Sequence, residues 1–259
     1  MDAEHRGDGQ EGVESTLQKA LRFAKRVLHS GSPSDVGNDR PSRGHVRFGD
    51  LAGTAPIDPY FGFGRGTPID RYYIEAFLDR NRNDIAGRVL EVGDSRYSAR
   101  FGQGRVTQQD VLHIRSGEPR ATIVGDLTAP DVLPRDSFDC IVFTQTLQFI
   151  YALKPAVAQL HAALRPGGVL LLTVPGISQI DRAEDWRGTW YWSFSSASVS
   201  RLFADVFDVD LISVESHGNV FAATCLLQGL AAEELPSAKL AVQDEVYPVI
   251  IALRARKRG

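Results

Sequence analysis

Four stretches of this chain end an apolar run in polar residues able to bind a ligand: VLEVGD (89–94), VTQQD (106–110), IVGDL (123–127) and FDCIVFTQTLQ (138–148). Gly93 lets backbone approach a ligand closely, and Glu91 before it can hold an ammonium group or orient loop amides. Asp110 follows Glu91 by 19 residues, near the ~20 at which an acid meets ribose hydroxyls in nucleoside-binding α/β folds. Asp126 is placed to accept from an adenine amino group and Leu127 to cover the ring, while Thr144, Gln145 and Gln148 border the reacting centre. An adenosine without phosphates suits this set. A dinucleotide would want G-x-G-x-x-G at the first turn, because its pyrophosphate must meet bare amides at a helix N-terminus. Here one glycine stands beside Asp94, which repels phosphate, and no P-loop motif occurs.

The elements that must position these residues follow from the patterning. Short apolar runs alternate with amphipathic segments from Arg88 onward, the pattern of a parallel sheet covered on both faces in a doubly wound α/β fold. Strands are expected over 88–91, 105–109, 121–124, 138–143, 169–174, 209–214 and 247–253, and helices over 72–81, 154–164, 197–207 and 220–234. Pro166, Gly167 and Gly168 read as a helix stop before the strand GVLLLTV, and Ser195 or Ser196 as the cap of the helix that follows. In such a sheet ligands bind outside the carboxyl ends of the strands, where the strand order reverses.

The pieces VLEVGDSRY, QDVLHI, IVGDL, DSFDCIVFTQTLQFI and LRPGGVLLLTVPG, in this order, resemble the class I S-adenosylmethionine-dependent methyltransferases over about residues 68–255. The resemblance implies a Rossmann-like, seven-stranded, mostly parallel sheet whose last strand is antiparallel, with S-adenosylmethionine as cofactor. Carried over residue by residue, it implies that Glu91 and Gly93 approach the methionine part, Asp110 takes the ribose hydroxyls, Asp126 and Leu127 hold adenine, and Thr144 lines the floor beneath the sulfonium. Ser95 and Tyr97 stand where many members have glycine, and Tyr97 is expected to fold over the cofactor. Similar chains carrying the leader PIDRYYIEAFL imply an acceptor among sugars, glycosides and secondary metabolites. The alternative is a chain that binds the cofactor without catalysis.

Arg65, Tyr72 and Tyr73 precede the first strand, and together with Gln145 and Trp192 they are the expected substrate-facing residues. Trp192 belongs to a long aromatic connection after the fifth strand that also holds Trp186, Trp190 and Tyr191; connections of this length tend to be functional. A hydroxyl acceptor needs its proton removed. His217, Gln148 and Tyr191 are the candidates for that work, none of them assigned.

The net charge of −3 gives no basic field for nucleic acid or an anionic membrane, and no apolar run approaches the ~20 residues of a membrane span. The polar, acidic start is unlike a secretory signal, so the cytoplasm is expected. Cys140 and Cys225 sit in separate apolar runs and read as buried thiols, and no histidine or cysteine spacing suggests a metal. Residues 1–45 read as a flexible extension with one amphipathic helix, packed on the domain or on a second subunit of a homodimer, and residues 46–259 as the methyltransferase domain.

Overall fold

The computed structural model describes Gln18 and residues 41–259; the amphipathic helix expected in the extension lies, but for Gln18, outside the described residues. The chain divides into two units, Met1–Gly49 and Asp50–Gly259, and everything below concerns the second. Its helices and strands in chain order are α1 (Ile69–Arg80), β1 (Gly87–Val92), α2 (Arg96–Gly102), β2 (Val106–His113), β3 (Ile123–Val124), β4 (Phe138–Thr144), α3 (Leu153–Ala163), β5 (Leu164–Pro175), α4 (Glu184–Arg187), α5 (Ser196–Phe203), β6 (Ile212–His217), α6 (Val220–Leu227), α7 (Ser237–Ala241) and β7 (Ile250–Arg256).

The strands form one seven-stranded sheet in the order β3-β2-β1-β4-β5-β7-β6. Strands β1 to β5 run parallel, and the last strand, β7, is antiparallel as the resemblance implies, inserted between β5 and β6. The order reverses between β1 and β4, so the crevice for a ligand opens above their carboxyl ends.

Period-two alternation divides the core between the two faces. Leu90, Ile141, Phe143, Leu170 and Leu172 pack with α3 and α5 on one side. Val89, Cys140, Val142, Val169 and Leu171 pack with α1 and α6 on the other. Each such side chain stabilises the fold by about 1.5–3 kcal/mol relative to exposure. Both cysteines are buried free thiols.

Several boundaries differ from expectation for physical reasons. Strand β2 runs on to His113, because Asp110 has a partner inside the sheet and does not end it. Helix α3 stops at Ala163, and Pro166-Gly167-Gly168 form a bulge within β5, where the register against β4 shifts. Strand β6 starts at Ile212, after a 3-10 turn over Val209–Leu211. The helix expected over 220–234 breaks after Leu227 at Gly229, whose φ is +69°. Ser195 caps α5 in a reciprocal pair with Ser198.

The break at Gly229 seats the segment that leads into α1. Asp58 N donates to Gln228 O at 3.0 Å, Ala232 N to Thr67 O at 2.8 Å, and Arg65 Nε to Glu234 Oε2 at 2.9 Å. A Cβ on Gly229 would overlap the Asp58 carbonyl, so only glycine allows this approach. Gly229→Ala is therefore expected to cost on the order of 1–3 kcal/mol and to release residues 58–67. A lowered Tm together with new cleavage in that segment under limited proteolysis would show it, and an unchanged digestion pattern would refute it.

Candidate active site

The chain leaves β1 through Glu91 and Val92 and turns at Gly93, where φ is +81° and the N–H donates to Leu112 O at 3.0 Å. The space where a Cβ would project from Gly93 is open to 4 Å, so the turn offers bare backbone to a ligand. Glu91 is 3% exposed and accepts from Tyr97 N at 3.1 Å and Ser98 N at 2.8 Å. Burial pushes its carboxyl pKa up, and the groups donating to it act in the opposite sense. Of the two roles open to Glu91, the structure shows the second: its carboxylate fixes loop amides at the start of α2, where the helix dipole also favours an anion.

Tyr97 lies in the first turn of α2. Its hydroxyl accepts from Arg71 Nη1 at 2.7 Å, and its ring packs against Phe101. Arg71 comes from the first turn of α1 and was not singled out from the sequence. Burial works against its cation, yet the Tyr97 hydroxyl, Asp70 and Asp94 outweigh that and hold its pKa above the ordinary value. Asp70, half-buried beside it, has its carboxyl pKa raised by burial. A cation in the first turn of a helix opposes the macrodipole, and that was the available signal.

The neighbouring leader residues divide. Tyr72 is half-buried, edge-on to Tyr73. Tyr73 does not face substrate: it is 2% exposed, its hydroxyl donates to Leu240 O at 2.9 Å, and burial pushes its pKa up to about 12. Arg65 is likewise taken up, by its ion pair with Glu234.

Asp110 does not reach the rim. It lies within β2 opposite Leu90, and its carboxylate accepts from Arg88 Nε at 2.7 Å and Thr122 Oγ1 at 3.0 Å. The side chain that β2 brings to its carboxyl end is His113, which is half-buried. Beyond β3, Asp126 is exposed; Oδ1 accepts from Thr128 N and Oγ1, while Oδ2 accepts nothing among the described residues. The Leu127 side chain is buried among the core residues, and its carbonyl accepts from Gln159 Nε2 at 2.6 Å.

At the next strand, Thr144 ends β4 and Gln145 follows in the left-handed region at φ +45°. Gln148 is 1% exposed and its Nε2 donates to Gln145 O at 3.0 Å. The long connection after β5 crosses above. Trp186 and Trp190 lie against Phe149 with centroids at 4.9 and 5.2 Å, Phe61 stacks on Trp190, and Arg115 Nη2 reaches Asp185 Oδ2 at 3.1 Å from the β2 side. Phe61 and Phe149 were not singled out from the sequence. Trp192 serves as a clasp: its Nε1 donates to Ile150 O at 3.0 Å and its ring stacks on Tyr151. Tyr191 is exposed, with its N–H on Gln148 O at 2.9 Å.

His217 is not brought to this rim crevice. It ends β6, three places from β4 in the sheet order, with its ring stacked on Tyr73 and its Nε2 3.3 Å from Arg80 Nη2 and 3.4 Å from Glu215. Burial and Arg80 lower its pKa, and the ring belongs to the packing against α1.

These geometries separate two roles for Asp110. Asp110→Asn is expected to lower stability by about 1–3 kcal/mol, leaving the partly buried Arg88 cation without its counter-charge. It should leave affinity for an adenosine ligand within about threefold. Denaturant unfolding and calorimetric titration measure the two effects, and a tenfold loss of affinity in a stable variant would return Asp110 to the ribose.

Residues 62–206 match the methyltransferase-domain family. No curated protein matches the chain. Among solved structures, the 4+2 cyclase SpnF superposes with a TM-score of 0.50 at 15% identity, over 81% of this chain and 91% of that one. A SAM-dependent methyltransferase from Archaeoglobus fulgidus gives 0.48 at 11% identity over 72% and 94%, and one from Mesorhizobium loti gives 0.47 at 15% over 73% and 98%. The likeness to SpnF is one of fold. The family match spans more than half of the chain and includes the Gly93 turn and the β4 rim, so the chain belongs to the methyltransferase-domain family: it is a class I S-adenosylmethionine-dependent methyltransferase, with S-adenosylmethionine as its cofactor.

Proposed function

We propose that this methyltransferase acts on a small molecule and methylates a hydroxyl group, on a sugar, a glycoside or a secondary metabolite. The observation that carries the reading is the division of the rim. At one end lies an open glycine turn with a guanidinium and carboxylates beside it, and at the other lie uncharged amides and aromatic rings. The first suits an amino-acid zwitterion and the second a neutral acceptor.

S-adenosylmethionine supplies an electrophilic methyl group on a sulfonium that leaves as a neutral thioether, and the acceptor hydroxyl gives up its proton to solvent water as the C–O bond forms. The protein's own residues align the partners, a contribution that reaches ~7–11 kcal/mol in well-oriented reactions. In this reading Arg71 meets the carboxylate of the methionine part, Asp70 and Asp94 favour its ammonium, and the turn held by Glu91, with Tyr97 behind it, receives the chain between them. His113 at the end of β2 meets the ribose hydroxyls in place of Asp110. Asp126 accepts from the adenine amino group through Oδ2, and Leu127 beside it supplies apolar cover for the ring. Thr144 borders the sulfonium. Gln145, Gln148 and Tyr191 orient the acceptor as hydrogen-bond partners.

The two reduced, buried cysteines favour a cytoplasmic setting. Among the described residues no helix is long and apolar enough to cross a membrane.

Calorimetric titration with S-adenosylmethionine and S-adenosylhomocysteine, followed by mass spectrometry of small-molecule extracts incubated with enzyme and deuteromethyl-labelled cofactor, tests the reading. Heat of binding and a labelled neutral product are expected. Binding without any labelled small molecule would refute it. Arg71→Ala should weaken cofactor binding by about 1.5–3 kcal/mol, a tenfold loss or more, since it removes a charge-assisted contact. Asp126→Ala, at an exposed site, should cost about 1 kcal/mol. Unaltered affinity in a folded variant would remove that residue from its role.

A further inference from the structure

Four buried side-chain polar atoms lack a hydrogen-bond partner among the described residues, and three of them belong to one corner of the rim: Gln145 Nε2, Gln148 Oε1 and Thr173 Oγ1. The residues are tied together. Thr144 pairs with Thr173 across β4 and β5, Gln145 N donates to Thr173 O at 2.8 Å, and Gln148 Nε2 donates to Gln145 O. Gln148 and Thr173 are 1% and 0% exposed, and Gln145 holds a left-handed backbone that a side chain rarely adopts. Orphaned groups of this kind cost stability, and three together on a ligand-binding edge mark a place completed by something else. We infer that Gln145, Gln148 and Thr173 form the subsite that selects the acceptor, and that it takes an uncharged, hydroxyl-bearing group. The inference rests on the methyl-transfer reading and deepens it.

The chemistry of the three atoms sets the class. An amide N–H, an amide carbonyl and a hydroxyl together both donate and accept, which is what a hydroxyl group, or two neighbouring ones, requires. The flanking stretches TQTLQF (144–149) and TVPGISQI (173–180) contain no charged residue, so an ammonium, carboxylate or phosphate placed here meets no counter-charge within them. Phe149 and Trp190 add ring faces beside the amides, a surface for the apolar side of a ring. The stretch 186–192 lies over the 147–149 turn through Tyr191 N on Gln148 O and the Phe149 contacts, so on this inference it must shift to admit the acceptor.

Thr173→Val and Gln148→Leu test the assignment in the full-length enzyme. The probes are three acceptor sets, offered with deuteromethyl cofactor: neutral phenols, sugars and phenyl glycosides; primary amines; and carboxylates. Methyl incorporation is expected in the neutral hydroxylated set. In each variant the KM for that acceptor should rise about tenfold while the cofactor Kd stays within about twofold. Thr173→Val should keep or raise Tm, since it removes an unpartnered hydroxyl. Preference for amines or carboxylates, no incorporation from any set, or an unmoved KM would overturn the subsite while leaving cofactor binding intact. A wild-type protein that binds no cofactor would overturn the methyl-transfer reading and this inference with it.

Discussion

The Glu91 carboxylate, buried at the end of β1, can stay there because it accepts the Tyr97 and Ser98 amides in the first turn of α2, and that contact governs the rest of the site. It ties strand to helix across a turn with a single glycine. With the turn held, Tyr97 can occupy the space beside it, and Tyr97 in turn gives Arg71 of α1 a partner. A glycine-poor first motif is thus compatible with an open cradle, because the bulk that replaces glycine lies to one side and is itself pinned.

A second constraint operates at the opposite end of the crevice. The leader before α1 and the connection after β5 meet through Phe61 on Trp190, and Gln179 Nε2 donates to Pro59 O at 3.2 Å. The leader can reach that place because Gly229 allows it to lie against the segment after α6. The two segments are far apart in sequence and are held by separate anchors, so the aromatic wall depends on tertiary contacts at both its bases. The uncharged amides beneath it face a boundary set by these two segments.

Much of the scaffold was legible because its causes are local. Runs such as FDCIVF and GVLLLTV are apolar on both faces, which only a covered sheet tolerates, and Ser195 announces α5 by its chemistry. Boundaries slipped where a residue's usual meaning was reversed by a distant partner. Asp110 looked like a strand end because an acid rarely stays inside a sheet, and Arg88 from the neighbouring strand makes it stable there. His217, one of three unassigned candidates for the base, belongs to a strand that the antiparallel insertion of β7 carries outward.

The sequence by itself determined the class of fold, the side of the sheet on which chemistry occurs, and the short list of polar residues that end the strands, since these depend on periodicity and on residue type along one strand at a time. Which of those residues face the crevice was decided only by the tertiary structure. Asp110 is engaged by Arg88, Tyr73 by the Leu240 carbonyl and Trp192 by the Ile150 carbonyl, because exposure at the rim depends on strand register, on ion pairs between strands and on the packing of segments distant in the chain. Pairings of that kind leave no trace in local spacing.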